Sequence, residues 1–157
     1  MKRILHVNSN KVWRGGEQQI QYLLDHSSAE YDIYLFCPEN SALYLKNNTT
    51  NKNNLFTYKK RFGFDIFAAI KLKNVCKKSQ VDLIHLHDSH SINTYLLSNL
   101  FGLNIPCVIH RHVNFPVTSK WKYQHKKIQK IICVSNEVKK NLSSFIDDER
   151  KLVVVNP

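Results

Sequence analysis

The apolar residues of this chain change period repeatedly along its length, and that switching is the strongest constraint on its fold. "RILHVN" (Arg3 to Asn8) reads as a short buried strand, and Glu17 to His26 then follow helical spacing. "YDIYLFC" (Tyr31 to Cys37) is a second strand, stopped by Pro38, with a short helix predicted over Ser41 to Lys46. "NNTTNKNN" (Asn47 to Asn54) is a polar surface loop, and "LFTY" (Leu55 to Tyr58) a third strand. A helix is predicted over Asp65 to Lys78, with Asp65 as N-cap and lysines in its last turn. "VDLIHLH" (Val81 to His87) is a strand, and the helix beginning at Ser91 is closed by Gly102. "IPCVIHRH" (Ile105 to His112) is the next strand, and Val117 to Gln129 has a helical reading. "KIICVS" (Lys130 to Ser135), a helix from Ser135 or Asn136 to Ile146, and "KLVVVN" (Lys151 to Asn156) complete the series.

Strands alternating with helices predict a parallel sheet with helices on both faces. Strands this apolar fit burial on both sides. The expected fold is therefore α/β, a Rossmann-like doubly wound domain, and 157 residues suffice for one such domain spanning residues 1–157. Ligands of such sheets bind at the carboxyl ends of the strands, near a switch in strand order. The residues that follow each strand are thus the candidates for chemistry.

After the first strand comes "VWRGGEQQI" (Val12 to Ile20), which places two of the chain's four glycines side by side before helix formers. Glycines there let backbone N–H groups approach an anion, although the pair fits neither GxGxxG nor a Walker loop. Read alone, the pair is a tight turn. After the fourth strand comes "HLHDSHS": His85 and His87 share one strand face, and His87, Asp88 and His90 fall at the strand end. After the fifth comes "HRHVN", with His110 and His112 again on one face. Three readings of these histidines stand side by side: zinc ligands, a catalytic or substrate-contacting imidazole, and ordinary strand-end residues. A binding site is the preferred reading of the cluster, and no metal is assigned, because no Cys or Glu completes an obvious zinc set.

Two stretches interleave basic and aromatic residues, "YKKRFGFD" with Lys59, Lys60 and Arg61, and "KWKYQHKKIQK" with Lys120, Trp121, Lys122, Lys126 and Lys127. They are candidate contacts for a membrane surface or an anion, or half-buried core with lysines reaching outward. The formal net charge of +11 favours anionic partners in general. The basic residues match no recognised nucleic-acid reader, so a nucleic-acid role is not indicated. Four scattered cysteines read as buried free thiols. "MKRILHVNSN", with His6 inside a short apolar run, is a first strand and no signal peptide, and no stretch suits a membrane span. A soluble cytoplasmic protein is expected, at most peripheral on the cytoplasmic membrane face.

In order along the chain, "RILHVN…RGGEQQ", "VDLIHLHDSHS", "IPCVIHRHVN", "KIICVSNEVKKNL" and "KLVVVNP" together resemble the N-terminal, acceptor-side domain of GT-B fold glycosyltransferases of family 4. The resemblance implies one half of a two-domain, hexosyltransferase-like enzyme. Such an enzyme moves a sugar from a nucleotide-sugar, with retention of configuration and without a metal ion or other cofactor, to a glycan or lipid-linked acceptor in cell-surface polysaccharide or glycolipid synthesis. It assigns Gly15 and Gly16, with Arg14 and Glu17, to the floor of the interdomain cleft. It gives the sugar-contacting, catalytic role to His112, with His110 standing where the family has threonine. His87, Asp88, His110 and Arg111 join Gly15, Gly16, Arg14 and Glu17 as substrate-binding residues. The implied partner is a C-terminal donor-binding domain, in cis or in trans, without which the chain is expected to be inactive. A non-catalytic binding module of the same fold and half of a sugar-nucleotide epimerase stand as alternatives.

Overall fold

A computed structural model describes residues 1–50, 54–61, 65–114 and 119–156. Parts of four sequence features lie outside the described residues: 51–53 of the asparagine-rich loop, 62–64 of the first basic stretch, Val117 and Thr118 of the predicted helix, and Pro157. Among the described residues, β1 (Lys2–Val7), β2 (Tyr31–Pro38), β3 (Leu55–Tyr58), β4 (Leu83–Leu86), β5 (Cys107–Arg111), β6 (Ile128–Cys133) and β7 (Leu152–Val154) form one sheet. Its order is β3-β2-β1-β4-β5-β6-β7, and every pairing is parallel. The chain moves outward in one direction from β1 to β3 and in the other from β4 to β7. The order therefore switches between β1 and β4, where such folds open a crevice at the carboxyl ends of the strands.

The two sheet faces carry different helices. Leu5, Val7, Ile84, Leu86, Cys107, Ile109, Ile131 and Cys133 belong to one apolar core with residues of α3 (Ile66–Lys78), α4 (Ser89–Leu100) and α5 (Asn136–Ser143). On the opposite face Leu35 and Cys37 pack with Ile20 of α1 (Gly15–Asp25) and Leu43 of α2 (Ala42–Asn47). This is the doubly wound arrangement expected from the sequence. The four cysteines are buried free thiols.

Local signals set most element ends. The side chains of Ser41, Asp65, Asp88 and Ser135 cap α2, α3, α4 and α5 by accepting from backbone N–H groups of the first turn. At the far end of α4, Gly102 adopts φ +89°, donating to the Asn99 carbonyl while Leu103 donates to that of Ser98. That pair of bonds is a Schellman closure, and its left-handed position suits glycine.

Three boundaries differ from the sequence reading. Gly15 and Gly16 are the first residues of α1 and not a turn ahead of it, and α4 starts at Ser89 because Asp88 is the cap. The helix expected over Val117 to Gln129 reduces, among the described residues, to a 3-10 turn at Lys120–Tyr123. Cys107 already donates to the Lys127 carbonyl, so sheet pairing captures Ile128 and Gln129 as the start of β6. No described helix is long and apolar enough to cross a membrane.

Candidate functional site

Successive strand residues point to opposite sheet faces. Leu5, Val7, Ile84, Leu86, Cys107 and Ile109 serve the core beneath α3 and α4, so the alternate positions His6, His85 and His110 face the other way. His6 and His85 are register partners across the β1–β4 switch. His87 and His112 follow two residues later along β4 and β5. The five imidazoles form one cluster, with ring centroids 4.9 Å apart for His6–His85, 4.2 Å for His85–His87, 5.4 Å for His87–His112 and 4.1 Å for His110–His112. The sequence reading gathered four of these and passed over His6. Its signal was the strand order, since only a switch at β1/β4 sets His6 beside His85.

The rings are linked by hydrogen bonds in one direction and unpaired in another. His87 is buried and lies between His6 and His112: its Nε2 is 2.9 Å from Nδ1 of His6, and its Nδ1 is 3.1 Å from Nε2 of His112. Among the described residues, both ring nitrogens of His110 are buried without a hydrogen-bond partner, as are Nδ1 of His112 and Nε2 of His85. Burial holds the imidazoles neutral. It lowers His6 to about 4 and, helped by neighbouring His112 and His6, lowers His110 to about 3. Burial also pushes His85 and His87 well below the usual histidine range. His112 is lowered by burial, against which Glu17 and Asp88 pull upward.

Two carboxylates build the rim around this row. Glu17 is 1% exposed; its Oε1 accepts from the side-chain amides of Asn8 (3.0 Å) and Asn10 (2.8 Å), and its Oε2 from the Arg14 backbone N–H. Asp88 accepts from the Ser9 backbone N–H (2.7 Å) and hydroxyl, and from the N–H groups of His90 and Ser91. Together they tie the β1–α1 loop to the start of α4. The glycines divide their work. A Cβ on Gly16 would lie 3.4 Å from the His112 ring, whereas one on Gly15 would meet nothing within 4 Å. Gly16 is thus the close backbone approach, and it approaches His112.

These parts line a cleft of about 460 Å³ at the carboxyl ends of β1, β4 and β5. Arg14, Gly16, Glu17, His87, Asp88, His110, Arg111 and His112, all singled out from the sequence, line it; Gly15 does not. Asn10, Ser89, His90, Ser119, Lys122 and Tyr123 also line it. Arg111 donates to the Tyr123 hydroxyl at 3.1 Å. The basic residues assigned to an outer surface separate. Lys122 is half-buried in the cleft wall, with its ammonium pKa lowered by burial, and Lys60 turns inward to the Ser9 carbonyl at 2.8 Å. Packing draws inward the long stems of these two residues, both named from the sequence as candidate membrane or anion contacts. Lys59 and Arg61 are exposed, and Lys120 pairs with Asp147 at 3.3 Å. Trp121, Lys126 and Lys127 line a separate groove with Leu97, Leu100 and Leu103.

Comparison with known proteins places this architecture in context. The sequence profile described as Glycosyltransferase Family 4 matches residues 13–157. A comparison with curated proteins returns no match. Among solved structures, a glycosyltransferase from Rickettsia africae superimposes with TM-score 0.70 at 21% identity, over 99% of this chain and 42% of that one. The lipopolysaccharide outer core galactosyltransferase WaaB gives 0.71 at 11% identity, over 99% and 45%. HepE from Anabaena, in complex with UDP and glucose, gives 0.69 at 11%, over 99% and 44%. The chain thus spans less than half the length of these structures, and the likeness at such identities is one of fold.

Proposed function

The chain belongs to glycosyltransferase family 4, and we propose that it is the acceptor-side half of a retaining transferase that passes a hexose from a nucleotide-sugar to a glycan or lipid-linked acceptor. The observation that carries this reading is the cleft at the β1/β4 switch, where His112 lies under Gly16. A donor held by a facing domain, in cis or in trans, would set its diphosphate near Gly15, the α1 N-terminus and Arg14. Glu17 accepts from the Arg14 backbone N–H, and no side-chain cap bond from Arg14 is present, which leaves the positive end of the α1 dipole suited to an anion. HepE, whose structure carries UDP and glucose, supports such a donor class.

The proposed chemistry uses neutral groups at the sugar and cations at the leaving group. His112, kept neutral by burial, would accept a hydrogen bond from a sugar hydroxyl or donate one to an oxygen. Positive charge from Arg14, Arg111 and Lys122 would stabilise the departing diphosphate. No metal ion is needed for this assignment. Addition of a family donor-binding domain, in cis or in trans, should yield sugar transfer from a radiolabelled nucleotide-sugar. His112→Ala should lower it by about 10²–10⁴-fold with the fold unchanged. A stable two-domain complex that stays inactive with every nucleotide-sugar tested would instead favour the non-catalytic module.

UDP-N-acetylglucosamine 2-epimerase is a structural neighbour as well, at TM-score 0.62 and 12% identity. Acid–base epimerisation asks for available carboxylates. The described carboxylates of this cleft, Glu17 and Asp88, already accept from backbone and side-chain donors of the rim loops. Transfer is the better fit.

The acceptor is proposed to be membrane-borne. Leu100 (80% exposed) and Trp121 (55%) flank the groove that Lys126 and Lys127 also line, an apolar surface with adjacent positive charge. Vesicles containing anionic lipid should retain the chain at low salt, and Trp121→Ala with Lys126→Glu should release it; equal binding by the variant would reject this surface.

A further inference from the structure

His87 lines the cleft, yet both of its ring nitrogens are engaged inside the protein. It is 4% exposed, its Nε2 is 2.9 Å from Nδ1 of His6, and its Nδ1 is 3.1 Å from Nε2 of His112. Nδ1 is therefore the nitrogen that His112 keeps for another partner, and it has none among the described residues. Gly16 lies against the carbon side of that ring, where an added Cβ would come within 3.4 Å of Cγ and Cδ2. The His110 ring is centred 4.1 Å away. Packing thus seats the His112 ring, and what remains to be set is which nitrogen carries its proton.

The row of imidazoles sets it. An N–H···N bond holds a single proton, and a neutral imidazole has one N–H and one lone pair. Burial keeps His6, His87 and His112 neutral. His87 must then donate at one nitrogen and accept at the other, so only two arrangements satisfy both bonds. In one, all three rings carry the proton on Nδ1, and every bond points from His6 toward His112. In the other, all three carry it on Nε2, and every bond points back. His112 presents an Nδ1–H donor in the first and an Nδ1 lone pair in the second.

The charges beside the row choose between them. Glu17 and Asp88 draw the His112 pKa upward, while no described carboxylate acts on His6 or His87. Arg14, Arg111 and Lys122 line the same cleft but do not offset them at that ring. Negative charge at the His112 end favours the arrangement whose N–H groups point that way.

We propose that His87 is a positioning residue that passes one hydrogen-bond polarity from His6 to His112 and holds His112 as the Nδ1–H tautomer, a donor to an oxygen of the transferred sugar. This rests on the transferase reading for the sugar, and it selects one of the two roles open to a neutral His112 there. A ring locked in this form donates at Nδ1 and does not act as a base toward an acceptor hydroxyl. His6, which does not line the cleft, is tied to the site by the same row.

The test reads ring protons in the full chain without turnover, so its outcome and that of the transfer assay are independent. With ¹⁵N-labelled histidine at about pH 8, above the usual histidine range, two-bond ¹H–¹⁵N correlations report the tautomer of each ring. His6, His87 and His112 should each show the Nδ1–H pattern. His125, whose Nδ1 accepts from the Lys127 N–H, should show Nε2–H. Scalar coupling across both N–H···N bonds should be seen in the parent, a measurement that needs no variant to fold. His6→Phe removes the far end of the row and should shift the His112 tautomer ratio by about 2–10-fold, the net worth of one hydrogen bond. The same substitution on a His87→Phe background should leave His112 unchanged, whereas a mere packing effect of His6 would persist. Nε2–H on any of the three rings, no coupling across either bond, or a His112 tautomer indifferent to His6→Phe would overturn the proposal.

Discussion

Strands β1, β4 and β5 present two chemically opposite faces built from alternate residues of the same short segments. On one side lie Leu5, Val7, Ile84, Leu86, Cys107 and Ile109, sealed by α3 and α4. On the other lie His6, His85, His87 and His110, buried or half-buried; His87 bonds to His6 and His112, whereas His85 and His110 hold ring nitrogens without a hydrogen-bond partner among the described residues. Both rows are largely withdrawn from solvent, but only the first gains from being so. Apolar burial contributes roughly 25 cal/mol per Å² to stability, whereas each buried imidazole must stay neutral and forgo hydrogen bonds with water. The lesson is that one face holds the fold while the other is maintained against a cost, the pattern of residues kept for function.

The sharpest way to break the comparison is to make the apolar face polar. Ile84→Asp puts an unpaired carboxylate where Ile84 is 0% exposed, and loss of the folded state by more than about 4 kcal/mol is expected, seen as loss of the cooperative thermal transition. A variant that melts like the parent would mean that this face is not the core.

Acid should attack the imidazole face next. A histidine whose folded pKa is depressed is neutral in both states above its unfolded value of about 6.5, and there its stabilising effect is complete. Below that pH the unfolded chain takes up protons that the folded chain refuses, so stability falls until the folded pKa is reached. For His6 the window runs from about 6.5 down to about 4, and the loss amounts to roughly 3 kcal/mol. The melting temperature should therefore drop steeply between pH 6.5 and 4, and His6→Gln should flatten the curve. A melting temperature independent of pH across that window would contradict a neutral buried row.

The smallest effect separates the two glycines. Alanine is a better helix former than glycine by up to about 1 kcal/mol, and Gly15 has open space around it, so Gly15→Ala should raise the melting temperature by about 2–4 °C. Gly16→Ala would place its methyl group in contact with the His112 ring at 3.4 Å, so its gain should be smaller and the imidazole NMR signals of His112 should move. Equal behaviour of the two variants would remove Gly16 as the contact that seats His112.

Much of the fold was legible because its signals are local. The period switches located the strands, and Ser41, Asp65 and Ser135 acted as the caps their side chains favour. The helical reading of Val117 to Gln129 misled because interleaved lysines and aromatics fit a helix face as well as a loop, and only pairing with β5 drew Ile128 into the sheet. Within the site, His85, His87, His110 and His112 were visible as HxH pairs on strands. Glu17 and Asp88 were visible as parts of the GGE and HLHDSHS segments; their tasks as acceptors for Asn8 and Ser9 were not.

The sequence by itself determined which residues end up at strand ends and which side of a strand each occupies, since alternation along an extended chain needs no partner. Only the tertiary structure decided which strands lie side by side. That choice brought His6 across from His85, turned Lys60 and Lys122 inward, and joined separate HxH pairs into one row. Strand order is fixed by burial of both sheet faces at once, a property of the whole domain that no short stretch of sequence contains.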